Sequence, residues 1–397
     1  MKSQTTAVLA VALFSVYSQF QPTCHAYCPT WDPGPQTLRE YHEESDVVVF
    51  GELIKVVPAN EEQKFAGTSA VKIRHIVKDT SKKYEIGEIL TLQRDLKLAK
   101  GEQLLLAGEL KQEKLRWWLV EKSSSAVQDY LLNAPEYAAT PKEQLIYFLQ
   151  FLEHQNHLLA HDSYLEINTQ ENWQLIADNE ATDFLDRTEL RQWLEKYRFQ
   201  HMERVGMYAI MLGHCGNKTD VVFMEETIRE MRDDFPFGID GMVTGYLLLT
   251  GDKGFQFLDK SILNSPDVAF SQKFAALQAM RFMRQYEVEQ ISIDRLCQSM
   301  RILLEDPKLV DLIILDLAKW SDWSIGDRLM TMYNDEKFNA PIIKRAIARY
   351  FLMADRSWDE TSKEVVPAYV IQARQNIKTL EEADPKTMKI ARRYIFE

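Results

Sequence analysis

The sequence predicts an α+β protein of more than one domain: a small N-terminal β-barrel followed by an all-α array of HEAT-like helical repeats. Three observations lead there. Residues 46–120 carry short β-branched and leucine-rich runs separated by glycine turns. From residue 142 onward the apolar residues recur at helical spacing in short segments with short connectors. A chain of 397 residues also exceeds one ordinary hydrophobic core.

The N-terminus reads as an export leader over residues 1–26. Lys2 supplies a positive charge, and Ala7 to Val16 is an apolar run too short to span a bilayer. Cys24-His25-Ala26 offers a cleavage site after Ala26, with lipidation of Cys24 or a short buried helix as alternatives. No later stretch is long and apolar enough for a membrane helix, so the expected location is secreted or periplasmic. The formal net charge of −12 disfavours a phosphate backbone as partner. The best basic clusters, Lys82-Lys83 and Arg392-Arg393, are short. Cleavage after Ala26 leaves Cys28, Cys215 and Cys297, an odd set with no CxxC spacing. Cys215 and Cys297 fit a disulfide and two buried thiols equally well.

The first domain is expected over residues 27–135. Asp46 to Val57 is dense in β-branched residues. Ala70 to Val77 alternates apolar and polar, with a slip at Ile76-Val77. Ile89 to Leu92, Gln103 to Leu110 and Trp117 to Val120 follow, with turns at Gly87 and Gly101. Five short strands with glycine turns predict a small Greek-key barrel.

The order YCPTW, TLREYHEESDVVVFGELI, AVKIRHIVKD, YEIGEILTL and KGEQLLLAGEL resembles the netrin-like, or TIMP-like, OB-fold module. The likeness covers about a quarter of the chain. The chain is also similar to bacterial secreted proteins that join such a module to helical repeats. The resemblance implies an early cysteine paired inside the barrel, yet Asp95-Leu96 stands where a partner for Cys28 would fall. In the metalloprotease-inhibiting members the mature chain begins at that cysteine, whose free amine ligates zinc. Cys28 meets that demand only if cleavage follows Tyr27.

Pro135 and Pro141 bracket an expected linker over residues 136–141. The helical domain is expected over 142–356, and a charged helical tail over 357–397. Its stripes include Leu145/Phe148/Leu149/Leu152, Leu190/Trp193/Leu194/Tyr197 and Val205/Tyr208/Ala209/Leu212. Gly213 and Gly216 predict the end of the third, and Asp220 a cap for the next. The array is organised around Leu309 to Trp323, where Val310, Ile313, Ile314, Leu317 and Trp320 form one stripe. Leu312, Leu315 and Trp323 widen it, so neighbours must cover that helix on two sides. The helices recur at about HEAT spacing without a strict consensus, which leaves an irregular α-bundle as the alternative.

The sharpest candidate for chemistry is His154, His157, His161 and Asp162. On one continuous helix, spacings of three and four bring the imidazoles into one arc able to hold zinc. A solvated face is the bland reading of the same residues. Asp233-Asp234 and Asp252 do not form a calcium loop. His214-Cys215 has the composition of a nucleophilic pair, but adjacent helical residues point apart. Asn217-Lys218-Thr219 is a glycosylation sequon. Trp320 and Trp323 could stack a ligand or fill a core. The stretch HDSYLE, 161–166, is similar to a recurring element of the repeat-bearing secreted proteins. No nucleotide, cofactor or hydrolase fingerprint is present.

The expected function is therefore a non-enzymatic binding or scaffold protein whose partner is a protein, with no cofactor and no nucleic acid. Two alternatives are a metal-dependent hydrolase built on His154, His157 and His161, and a metalloprotease inhibitor acting through Cys28.

Overall fold

The computed structural model describes residues 36–393 apart from 61, 63, 112–113, 179, 198–203, 231–237, 288–289, 360 and 362–363. The expected leader, Cys24, Cys28 and Asp233-Asp234 lie outside the described residues. The chain divides into two compact units, Pro29–Leu185 and one that begins at Asp186.

The first unit opens with helix α1, Leu38–Glu44, started by a reciprocal cap in which Thr37 and Glu40 each bind the other's amide. Five strands follow: β1 (Val47–Val57), β2 (Thr68–Asp79), β3 (Ile89–Leu92), β4 (Gln103–Lys111) and β5 (Lys114–Lys122). They form one antiparallel sheet in the order β3-β2-β1-β4-β5. Among the described residues the ladder ends at β3 and β5, so the five strands form one sheet that is not closed. β3 spans only four residues, too few to carry a long closing seam.

One face buries Val47, Val49, Leu53, Val71, Ile73, Leu104 and Leu106. The alternate residues Val48, Phe50, Leu105 and Ala107 are buried as well. Burial on both faces explains why β1 and β4 read as continuous apolar runs and not as alternating ones. The slip at Ile76-Val77 is a β-bulge: Val48 pairs with Lys78 and Val49 with Ile76, leaving Val77 over. Gly87 and Gly101 turn the chain at φ 93° and 92°, where a side chain would be strained.

Four helices complete this unit: α2 (Ser125–Asn133), α3 (Pro141–Leu149), α4 (His157–Ile167) and α5 (Gln170–Ala177). The compact unit thus runs to Leu185 and does not end in the proline-bracketed stretch 136–141. Hydrogen bonds from α4 back to α1 hold it together, as described below.

The second unit holds α6 (Arg187–Tyr197), α7 (Val205–Cys215), α8 (Lys218–Arg229), α9 (Ile239–Thr250), α10 (Asp252–Leu258) and α11 (Phe270–Tyr286). After them come α12 (Ile293–Ile302), α13 (Val310–Lys319), α14 (Gly326–Tyr333), α15 (Pro341–Arg356), α16 (Ala368–Ala383) and α17 (Pro385–Arg393). Helix α7 runs through Gly213 to Cys215, so that glycine is not a stop signal. Its role is close packing: a Cβ on Gly213 would stand 2.7 Å from the Gly245 Cα of α9. On α8 the N-cap is Asn217, three residues before the expected Asp220, which is instead the N3 partner in the same capping box.

Helix α13 matches its sequence pattern on one side. Val310, Ile313, Ile314 and Leu317 are buried against neighbours, while Leu312, Leu315 and Trp320 keep partial exposure. Trp323, just past its end, stacks on Tyr369 and meets Tyr350 edge-on while keeping partial exposure.

Candidate functional site

The predicted histidine arc depended on one continuous helix, and the chain does not build one. Helix α3 ends at Leu149, a turn follows, and α4 starts at His157. His154 lies in the connector, where its Nδ1 accepts the Asn156 amide at 3.0 Å. Asn156 in turn caps α4 by accepting the Leu158 amide at 3.0 Å. His157 and His161 are exposed on α4, and His161 stacks on Tyr164. Asp162 lies on the buried side of the same helix, 3% exposed. The four side chains are not brought together, and no group of three or more metal-ligating residues exists among the described residues.

What the HDSYLE stretch does build is a buried polar knot. Asp162 Oδ1 accepts the Leu38 amide at 2.7 Å, and Oδ2 accepts the Tyr130 hydroxyl at 2.7 Å. Tyr130 also lies 3.2 Å from Ser163 Oγ. One turn on, Glu166 takes two bonds from Arg39, from Nε at 3.0 Å and Nη2 at 2.5 Å. The remaining Arg39 donors reach the Pro135 carbonyl and Gln144 Oε1, each at 3.0 Å. The guanidinium is sandwiched by Tyr137 and Phe148, at 4.5 and 4.9 Å from their ring centroids. Burial pushes the Asp162 carboxyl up to about 7, against the opposing pull of the Tyr130 and Leu38 bonds. Burial and the adjacent Asp162 raise the Tyr130 phenol far above its usual range. Asp162 and Glu166 both commit their carboxylates to groups of α1, so the chemistry of the knot is that of a clamp on that helix.

The His214-Cys215 pair also separates. His214 Nε2 stands 3.0 Å from Glu287 Oε1 at the end of α11, with both side chains buried. Cys215 sits near Asp220 and Arg187, and burial raises its thiol to about 11. Cys215 and Cys297 are free thiols, so they do not form a disulfide. Asn217 of the sequon uses its Oδ1 to accept the Thr219 amide and hydroxyl at 2.9 and 2.8 Å. Asp252 pairs with Arg295 at 2.6 Å, and Arg295 also reaches Asp259 at 2.8 Å.

The second unit has a cleft that the sequence did not single out. It lies between α13, α15 and α17, has a volume of about 420 Å³, and is lined by Asp311, Leu315, Ile342, Arg345, Arg349 and Ile390 with Ala346 at its floor. Arg345 and Arg349 are one helical turn apart on α15, on the same face as Ile342 and Ala346. The sequence signal was there: an Arg-x-x-x-Arg pair set within an apolar stripe on a single helix. The arrangement joins two cationic groups to an apolar wall and is suited to holding an anionic, partly apolar ligand.

Comparison of the chain with family models, with curated proteins and with solved structures finds no match.

Proposed function

We propose that the chain is a secreted or periplasmic recognition protein in which a netrin-like, OB-like module is joined to a HEAT-like array that holds a protein partner. The observation that carries this reading is the packing rhythm of the second unit. Helix α9 lies against α7 and α11, and α15 against α13 and α17, so alternate helices stack. Ion pairs within the unit include spans of 19 and 43 residues of chain, and four of them fall between 33 and 36. Arg187–Asp220 and Lys273–Asp306 span 33 residues, Arg281–Asp316 spans 35 and Arg295–Asp259 spans 36. Stacked helical units of about 35 residues produce such a spacing, and their extended surfaces serve recognition.

The OB-like part of the reading is supported by β1, which pairs with β2 on one edge and β4 on the other, as a partly open five-stranded barrel requires. No helix among the described residues is long and apolar enough to cross a membrane. Export rests on the leader-like N-terminus.

The test is expression of the full chain in its own cell with photo-crosslinking residues at Val222, Ile342 and Ile371, three exposed apolar positions of the array. The expected result is exported protein whose N-terminus is Tyr27 and a discrete adduct from at least one position. Retention in the cytoplasm, or no adduct from any of the three, overturns the proposal.

A further inference from the structure

We propose that the cleft between α13, α15 and α17 binds a short peptide segment in which an acidic side chain sits beside a bulky aliphatic one. The inference rests on the recognition reading and names the ligand class for one place on the array.

Charge is the first support. The whole chain is net −12, yet α15 carries Lys344, Arg345, Arg349 and Arg356 against the single acid Asp355. Helix α17 carries Lys386, Lys389, Arg392 and Arg393 and no acid. The two helices pack together and make a basic island on an acidic molecule. Part of that island is committed: Arg392 binds Glu381, and Lys344 lies over the Tyr333 ring at 5.0 Å. The Arg345 side chain lines the cleft and is partly exposed. The Arg345 guanidinium is a planar fork that can take both oxygens of one carboxylate.

The apolar wall is the second support. Leu315, Ile342, Ala346 and Ile390 surround the arginines, and Ile342 is 52% exposed. A polynucleotide needs a track of phosphate contacts and gains little from an aliphatic wall. A fatty acid needs an enclosed tunnel to keep its tail dry, whereas this cleft opens to solvent along α15. An acidic peptide satisfies both surfaces, its carboxylate on α15 and its aliphatic side chain on Leu315, Ile342 and Ile390. Asp311 on the α13 wall repels a second carboxylate there, which orients the segment.

The test is selection of random octapeptides displayed on phage by the purified full chain, repeated with Arg345→Glu. Wild type is expected to enrich Asp or Glu next to Leu, Ile or Val, and Arg345→Glu to abolish that preference. A synthetic copy of the enriched peptide should bind at least 10-fold more weakly to Arg345→Glu. It should weaken to the same degree on wild type when its acid is replaced by the amide, a comparison that needs no variant to fold. Affinity should fall as salt rises. Selection without acidic preference, equal binding to Arg345→Glu, or displacement of the peptide by a single-stranded oligonucleotide that binds more tightly overturns the inference. Peptides that bind regardless of Arg345→Glu and Ile342→Asp sink the cleft but leave recognition standing. No selected peptide, together with no cross-linked adduct, sinks both.

Discussion

Leu38 and Asp162 stand 124 residues apart, and the Leu38 amide donates to Asp162 Oδ1 across 2.7 Å. Leu38 is the first residue of α1, so the carboxylate meets an unpaired amide at the positive end of that helix. Burial raises the Asp162 carboxyl to about 7, above the ~3.9 of an unfolded aspartate. A raised acid binds its proton more readily when folded. Its contribution to stability is therefore complete below about pH 4 and is lost as pH rises through about 7. Asp162→Asn imitates the protonated form, keeping one acceptor for Leu38. The melting temperature of Asp162→Asn minus that of wild type should rise between pH 5 and pH 8. Thermal melts across that range check it, and a difference that falls with pH contradicts the assignment.

The Arg39–Glu166 pair is 7% and 4% exposed at its two side chains and joins α1 to α4. Removing one partner leaves a buried charge uncompensated, at a cost of about 3–5 kcal/mol. Arg39→Met and Glu166→Leu should each destabilise the first unit, with the arginine change the larger because four bonds are lost. The double variant Arg39→Met/Glu166→Leu should be less damaged than the sum of its parts. Hydrogen exchange of the peptide over residues 38–45 reads the release of α1, and strictly additive effects would show that the pair is not coupled.

Helices α7 and α9 approach so closely that a Cβ on Gly245 would stand 2.1 Å from the Ala209 carbonyl oxygen. Backbone cannot yield as a flexible side-chain tip does. Gly245→Ala should cost about 1–3 kcal/mol or more and lower the melting temperature of the second unit. Gly326→Ala provides the contrast. Its nearest new neighbour, a Phe351 ring carbon, lies at an ordinary 3.5 Å, and the position is helical. That change should be neutral or stabilising by up to about 1 kcal/mol. Urea denaturation of the two variants separates close approach from simple helix propensity.

Several of these relationships were within reach of the sequence and others were not. Strand positions followed from β-branched runs, and even the bulge at Val77 left its trace as a slip in the alternation. The buried stripe of α13 followed from spacing. Strand period does not say whether a sheet closes, because closure depends on pairing between β3 and β5, far apart in the chain. The histidine arc failed for a local reason: Asn156 offers its side chain as a cap and breaks the helix between His154 and His157. Asp162 read as a fourth metal ligand and Glu166 only as part of the HDSYLE stretch, because their partners, Leu38, Arg39 and Tyr130, come from distant segments. Gly213 read as a stop because glycine ends many helices, and only the neighbouring α9 shows that it serves contact.

Cys215 and Cys297 test the interior of the second unit by reactivity. The thiolate is the reacting form, and burial pushes both thiols to about 11, with the nearby carboxylates Asp220 and Asp322 adding to the shift. At pH 8 the thiolate fraction of each is then well below that of a free cysteine, whose pKa is about 8.5. Exposure should order the two: Cys215 is half-buried at the end of α7, while Cys297 is buried in α12. Iodoacetamide at pH 8 should therefore modify the native protein slowly, Cys215 before Cys297, and both rapidly in urea. Mass spectrometry of timed digests reads each site separately. Because a raised acid ionises as pH climbs, the native rate at Cys215 should keep increasing up to about pH 11, where a free thiol has already levelled off. A plateau near pH 9 would mean that the thiol is solvated and that the end of α7 is more open than its packing against Asp220 and Arg187 implies.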